Sequence, residues 1–323
     1  MRALVTGAAG FAGGHLCRAL VAEGHQVCGT AERFRGPEAD TDRTSIRWIE
    51  FDITDPGQVA SVVADVRPEI TFHLAAATFV PESLESPYQT YAVNFNGTLH
   101  LLEALRKSSK SRFVYVSSSE IYGAPKYLPV DEEHPLAPVT PYSGSKAAAD
   151  LLCFQYAKSF GMDVVRLRPF NHTGPGQSDR FVISSFARQL VEIEKGLRPP
   201  VLRVGNLDSR RDFSDVRDVV RGYVRAAQEA TSPDVFNLCS GVAFTVRELL
   251  EEMLALADME DLSIETDPHK IRKEEIAEVR GSFDKALREL GWSPSISITE
   301  TLKACLESWR KRVDKAHSPG AKG

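Results

Sequence analysis

A strand, a glycine-punctuated turn and a helix open this chain. The apolar run at 2–6 (RALVT) leads into VTGAAGFAG, which sets Gly7, Gly10 and Gly13 three residues apart. No other feature constrains the fold as strongly. Glycine at Gly7 allows a tight turn, Gly10 lets the backbone approach a pyrophosphate, and Gly13 lets the helix pack closely on the strand. Backbone N–H groups at the helix start then face the phosphates. Three glycines also suit a turn that serves packing alone, but their place between the first strand and the first helix points to dinucleotide binding.

The same alternation continues downstream. Strand-like runs at 26–30, 47–53, 69–77, 112–118 and 163–169 are separated by helical patterns at 11–23, 55–66, 86–109 and 141–160. Strands spaced by helices of this length read as βαβ units on a parallel sheet covered on both faces. The expected fold is therefore α/β: a doubly wound parallel Rossmann sheet with a smaller C-terminal lobe for substrate. After Pro169 the rhythm changes to turn-rich segments and short strands such as 200–205 and 234–238. We place a dinucleotide-binding domain at 1–170, a substrate lobe mainly at 171–315, and a tail at 316–323. In such sheets ligands sit beyond the carboxyl ends of the strands, which gathers the loops after residues 6, 77, 118 and 169 around one crevice.

Several function classes are disfavoured. A net charge of −5 without a basic block argues against nucleic-acid and anionic-membrane partners. No apolar run approaches the roughly 18 residues of a membrane helix, and a fold starting at Arg2 leaves no room for a signal peptide. Five cysteines without C-x-x-C suit reduced thiols in a cytoplasmic protein. The eight histidines form no metal-ligand pattern, so no bound metal is expected.

PYSGSKAAAD (141–150) sets Tyr142 and Lys146 four residues apart, on one face of a helix. A free tyrosine, with a pKa near about 10, is a poor acid–base group at neutral pH, and a neighbouring ammonium lowers it. Lys146 can also hold a cofactor ribose. An exposed helix pair is the plain alternative, weakened here by the dinucleotide turn upstream.

The spacing T-G-x-x-G-F-x-G resembles the fingerprint of extended short-chain dehydrogenases/reductases, the family of nucleotide-sugar epimerases, dehydratases and reductases. The resemblance implies cofactor contacts from Phe11 and Ala12 of the turn, from Asp52 and Ile53 at the adenine, from Leu74, Ala75 and Ala76 of HLAA, and from Asn94 and Pro169. His73 of the same HLAA segment reads as a packed strand histidine. The position that selects between cofactors falls at Ala31, which cannot accept a bond from a ribose 2′-OH. Arg33 and Arg35 follow and suit a 2′-phosphate, although they also suit a solvated loop. NADP(H) is thus preferred and NAD(H) kept open, because Glu32 lies close by.

In that family the catalytic Ser or Thr lies four residues before the Tyr of a Y-G pair, which implies Ser118 in VYVSSSEIYG (114–123). Serine-rich loops are otherwise ordinary turns. Glu120 stands where family dehydratases keep a base, and Ser119 where some keep an acid. A polar loop residue is the alternative for Glu120. RPFNHTGPGQS (168–178), FVISSFARQLVEIEKG (181–196) and VGNLDSRRDFSDVRDV (204–219) look like GDP-6-deoxy-4-keto-D-mannose reductases and, less completely, GDP-mannose 4,6-dehydratases. By that likeness Thr78 contacts the substrate, Asn171 the sugar or phosphate, Arg211 and Arg272 the diphosphate, and Val182 and Asn206 the base. Arg210 reads as capping or surface charge. Arg272 is followed by Lys273 where the pattern has Pro, which weakens its assignment. TGPGQSDR replaces the dehydratases' Arg-rich segment and favours reduction.

The resemblance therefore implies NADPH-dependent reduction of the C4 ketone of GDP-4-keto-6-deoxy-D-mannose to GDP-D-rhamnose. GDP-mannose 4,6-dehydration, or another epimerase, decarboxylase or reductase reaction of the same family, is the runner-up, and a non-catalytic NADP-binding regulator the reading from another class. A homodimer through the helices near 86–109 and 141–160 is also expected, their apolar rows being Leu99, Leu102, Leu105 and Leu151, Leu152, Phe154.

Overall fold

The computed structural model describes residues 1–32, 45–108, 110–259, 262–268 and 276–317. Arg33, Arg35 and Arg272, three of the arginines weighed above, lie outside these residues, as does the end of the expected tail.

The first half runs β1 (Arg2–Thr6), α1 (Phe11–Ala22), β2 (Gln26–Ala31), β3 (Ile46–Glu50), α2 (Pro56–Val66) and β4 (Ile70–His73). It continues through α3 (Val80–Glu85), α4 (Pro87–Tyr91), a π-helical turn (Ala92–Asn96), α5 (Gly97–Ser108), β5 (Arg112–Val116), a 3-10 turn (Ser119–Tyr122), α6 (Pro141–Phe160) and β6 (Val164–Pro169). The second half holds β7 (Asn171–Thr173), α7 (Val182–Glu194), β8 (Val201–Val204), β9 (Arg210–Asp215), α8 (Val216–Glu229) and β10 (Asp234–Leu238). It ends with β11 (Ala243–Thr245), α9 (Val246–Leu256), β12 (Ser263–Thr266), β13 (Glu278–Val279), α10 (Asp284–Leu290) and α11 (Ile298–His317).

A seven-stranded parallel sheet, ordered β10-β6-β5-β4-β1-β2-β3, forms the centre. Apolar side chains leave both of its faces, so both must be covered. Leu16, Leu20, Val219, Tyr223 and Phe236 fill one face, and Val59, Val63, Leu101, Leu105 and Tyr156 the other. The strand order reverses between β1 and β4, and that switch point opens the crevice into which both following loops run. The smaller lobe has its own core of Phe186, Leu190, Leu249, Met253, Leu302 and Leu306.

Two expectations change. The helix expected over 86–109 runs from Pro87 to Ser108 without a gap but carries a π-helical turn (Ala92–Asn96) within it, and Pro81 and Pro87 each sit in the first turn of a helix. Proline is tolerated only in a helix's first turn, so each one marks a helix start. The run at 234–238 is not isolated but becomes the edge strand of the large sheet, paired with β6. Helix α8 also returns to pack on the large sheet, beside Leu16 and Leu20 of α1. Residues assigned to the smaller lobe thus complete the larger one.

Candidate active site

The cleft takes shape where β1, β4, β5 and β6 end. At the first, Gly7 adopts φ +70°, and a Cβ there would lie 2.7 Å from the Ala75 nitrogen. A Cβ on Gly13 would meet the Gly7 carbonyl oxygen at 2.2 Å. Both positions need the missing side chain, one for turn and approach, the other for helix packing. Gly10 contributes no side-chain cap, and the Gly14 N–H donates to its carbonyl at 2.9 Å. The amides of Phe11, Ala12 and Gly13 precede that bond, at the cleft wall. A glycine cradle ending in uncapped helix amides fits a pyrophosphate.

Asp52, Ile53, Leu74, Ala75 and Ala76 line the same cleft, as the resemblance implies. At the ribose end Ala31 is followed by Glu32, which lines a recess with Glu50, Asp52 and Gln58. Asn94 differs from expectation. It is buried and absent from the cleft wall: its amide accepts from the Ala77 N–H at 2.8 Å and donates to the Ala77 carbonyl and the Ser145 hydroxyl. Asn94 therefore ties the loop after β4 to α6. His73 is the packed strand residue expected, held between Thr6 and Thr98 and pushed down to about 3 by burial.

The chemistry sits on α6 and the turn after β5. Thr140 caps α6 in a reciprocal box with Ser143, Pro141 takes the first helical position, and Gly161 ends the helix in the left-handed region. That start fixes Tyr142 in the first turn, with Lys146 one turn deeper and buried. Ser118, Ser119 and Glu120 reach the cleft from the 3-10 turn, where the Glu120 N–H donates to the Ser118 hydroxyl at 3.2 Å. The Lys146 ammonium donates to the Val116 carbonyl at 2.6 Å and lies 4.5 Å over the Tyr115 ring. Burial lowers the Lys146 pKa to about 8, against the raising effect of Asp150.

The expected lowering of the Tyr142 pKa is not what the geometry produces. Burial raises it well above its usual value, the nearby Glu120 carboxylate adds to the rise, and a hydrogen bond from Ser118 opposes it. Tyr142 is consequently held as a phenol, the form that donates a proton.

Beyond the chemistry, Pro169, Asn171, Val182, Asn206 and Arg211 line the cleft on the second-half side, and Thr78 lines it opposite. Arg210 stands away from it, in ion pairs with Glu248 and Glu278. The whole cleft spans about 3110 Å³, well beyond the roughly 300–1,000 Å³ of a single drug-sized site. It has room for two extended ligands end to end.

Sequence reasoning missed a buried clamp behind the chemistry. Asp150, one further turn along the Tyr142–Lys146 face, receives Arg166 at 2.8 Å and both arms of Arg168. Arg168 also donates to the Tyr122 hydroxyl, which itself donates to Asn237 at 2.7 Å. Burial would raise the Asp150 pKa, but the two guanidiniums outweigh it and keep the carboxyl ionised. The clamp joins α6, β6 and the Ser119–Tyr122 turn. Its signal was readable in an acid at the same spacing of four and in two arginines alternating on a buried strand.

Among the described residues, no group of His, Cys, Asp or Glu could hold a metal, and no helix is long and apolar enough to cross a membrane.

Residues 4–305 match the family model described as GDP-mannose 4,6 dehydratase. The chain is 38% identical over 321 residues to a GDP-6-deoxy-D-mannose reductase of Pseudomonas aeruginosa, covering 97% of this chain and 98% of that one. It is 29% identical over 340 residues to a GDP-mannose 4,6-dehydratase of Vibrio cholerae, covering 93% and 91%. The solved structure of RMD from Pseudomonas aeruginosa complexed with NADPH superposes with a TM-score of 0.83 at 36% identity, over 97% of this chain and 100% of that chain.

Proposed function

Since the chain belongs to the GDP-mannose 4,6-dehydratase family, we propose that it reduces the C4 ketone of GDP-4-keto-6-deoxy-D-mannose to GDP-D-rhamnose, with NADPH as reductant. The observation that carries this reading is Tyr142, kept as a phenol in the cleft beside Ser118, with Lys146 one turn away. A bound nicotinamide supplies the hydride. The protein's part is the proton and the developing charge. The Tyr142 hydroxyl donates to the C4 oxygen as it becomes an alkoxide, and the Ser118 hydroxyl hydrogen-bonds the same oxygen. We assign Lys146, whose ammonium donates to the Val116 carbonyl, to the cofactor ribose, and solvent returns the proton to Tyr142. Arg211 is the described arginine we assign to the diphosphate, matching its planar fork to phosphate oxygens.

Ala31 offers no acceptor to a ribose hydroxyl, and the Pseudomonas aeruginosa structure carries NADPH, so we place NADP(H) ahead of NAD(H). Glu32 in the recess keeps NAD(H) the second choice. All five cysteines are buried and unpaired, which suits the cytoplasm. Glu120 in the cleft wall favours one other reading, a 4,6-dehydratase using that carboxylate as base.

One assay separates the two readings. Incubated with GDP-4-keto-6-deoxy-mannose, the protein oxidises NADPH faster than NADH, and the product gains two hydrogens. Incubated with GDP-mannose it does nothing. Loss of water from GDP-mannose without net NADPH use would replace the reductase by the dehydratase.

We also assign a homodimer to the α6 face. Leu102 and Leu105 of α5 turn out to be core residues with no exposure, whereas Leu151 and Phe154 of α6 are 53% and 37% exposed. The outward row on α6 thus supports pairing, and the inner rows of α5 do not. Light scattering is expected to give a dimer for the wild type and a monomer for Leu151→Glu, because a carboxylate there cannot be desolvated without a partner. A monomeric wild type would remove the assignment.

A further inference from the structure

We propose that Arg180 is a positioning residue that closes the sugar-nucleotide end of the cleft by tying the two lobes together. Arg180 lies in the smaller lobe, two residues before α7. Its guanidinium stacks 3.7 Å over the ring of Phe79 and donates to the Glu82 carboxylate at 2.5 Å. Beside it, Phe181 meets Phe79 edge to face, with ring centroids 6.2 Å apart and planes at 81°. Phe79 and Glu82 belong to the other wall, at the start of α3. Two residues from each lobe therefore form one latch.

The neighbours of the latch explain its consequence. Thr78 precedes Phe79 and Val182 follows Phe181, and both line the cleft. Each is also a residue assigned above to the substrate. Whatever sets the distance between Phe79 and Phe181 sets the distance between these two walls. Arginine suits the task because its planar group stacks on one residue and pairs with another at once; lysine can only pair.

The contacts are also weak in the way a mouth requires. The Arg180 and Glu82 side chains are 44% and 62% exposed, so salt screens their attraction. A buried pair would lock the lobes, whereas this one opens and recloses at small cost. No atom of the latch is asked to touch the reacting ketone.

The inference rests on the reading that a GDP-linked sugar fills this end, and the test separates the two. Titration calorimetry on the NADPH-loaded protein, with GDP-mannose as the probe, is expected to show about fivefold to tenfold weaker binding for Arg180→Ala, the combined worth of an exposed pair and an exposed cation–π contact. NADPH affinity stays at the wild-type level. Arg180→Lys recovers part of the loss, added salt narrows the gap, and Glu82→Arg restores part of what Arg180→Glu removes. Unchanged GDP-mannose affinity in Arg180→Ala, or no recovery by the charge exchange, overturns the latch. A wild type that binds NADPH but no GDP-mannose sinks the substrate reading instead. Hydrogen exchange in the ligand-free protein then decides: faster exchange across 78–86 in Arg180→Ala upholds the latch, and an unchanged rate overturns it.

Discussion

Replacing Tyr142 by Phe lowers kcat for ketone reduction by about 10²- to 10⁴-fold, the usual worth of a positioned acid, and leaves NADPH affinity within about twofold. The ring stays, so the packing of the first turn of α6 stays with it; only the proton donor goes. Ser118 still reaches the cleft and still stabilises the developing charge, which sets the residual rate. Burial and the Glu120 carboxylate keep Tyr142 a phenol, the form that donates a proton. Lys146 supplies an independent check through pH. Its pKa of about 8 lies below the ordinary lysine value, so the ammonium is present below pH 8 and lost above it. On the free enzyme, kcat/KM accordingly falls as pH rises through about 8. The same limb persists, at lower amplitude, in Tyr142→Phe, because it belongs to the lysine. Stopped-flow oxidation of NADPH across pH measures both. A Tyr142→Phe enzyme with wild-type turnover would remove Tyr142 as the acid.

The contrast between Tyr142's place and its pKa marks how far a sequence carries. Gly7, Gly10, Gly13, Tyr142 and Lys146 were legible because their chemistry demands particular residue types at short, fixed spacings. Their electrostatics were not. A spacing of four places an ammonium near a phenol, but burial and the Glu120 carboxylate set the phenol's pKa, and the ammonium's hydrogen bond goes to the Val116 carbonyl 30 positions away. The partners of Asn94 were not legible, because Ala77 and Ser145 stand 17 and 51 positions away. The latch spans 98 positions from Glu82 to Arg180 and left no local pattern at all. Helix α5 shows the same limit in packing: its leucine row was visible, but whether it faced the core or a second subunit depended on what the sheet placed beneath it. Periodicity reports that a face is apolar and says nothing of its neighbour.

The glycine turn yields the second large effect, through two substitutions that look alike. Gly13→Ala is expected to lower both thermal stability and cofactor affinity, Gly10→Ala cofactor affinity alone. A Cβ on Gly13 would sit 2.2 Å from the Gly7 oxygen and 2.8 Å from the Ala8 Cα, both backbone atoms. A Cβ on Gly10 would sit 3.1 Å from its nearest neighbour, the Gly7 oxygen, which needs only a small shift. The turn cannot yield to the Gly13 methyl by moving toward β4. Gly7 already holds φ +70° with no room for a Cβ beside Ala75, and the loop carrying Ala75 is pinned at Ala77 by Asn94. Helix α1 must retreat instead, against a core that contains Leu16 and Leu20. Overpacking of this kind costs about 1–3 kcal/mol, several degrees in Tm for a chain of this size. Retreat of α1 also withdraws the amides of Phe11, Ala12 and Gly13, so NADPH affinity falls at least about tenfold, a loss of roughly 1.4 kcal/mol. Thermal melts without ligand, beside NADPH titrations, separate the two variants. An unchanged melt for Gly13→Ala would mean that α1 accommodates the methyl after all, and that the glycine serves the cofactor alone.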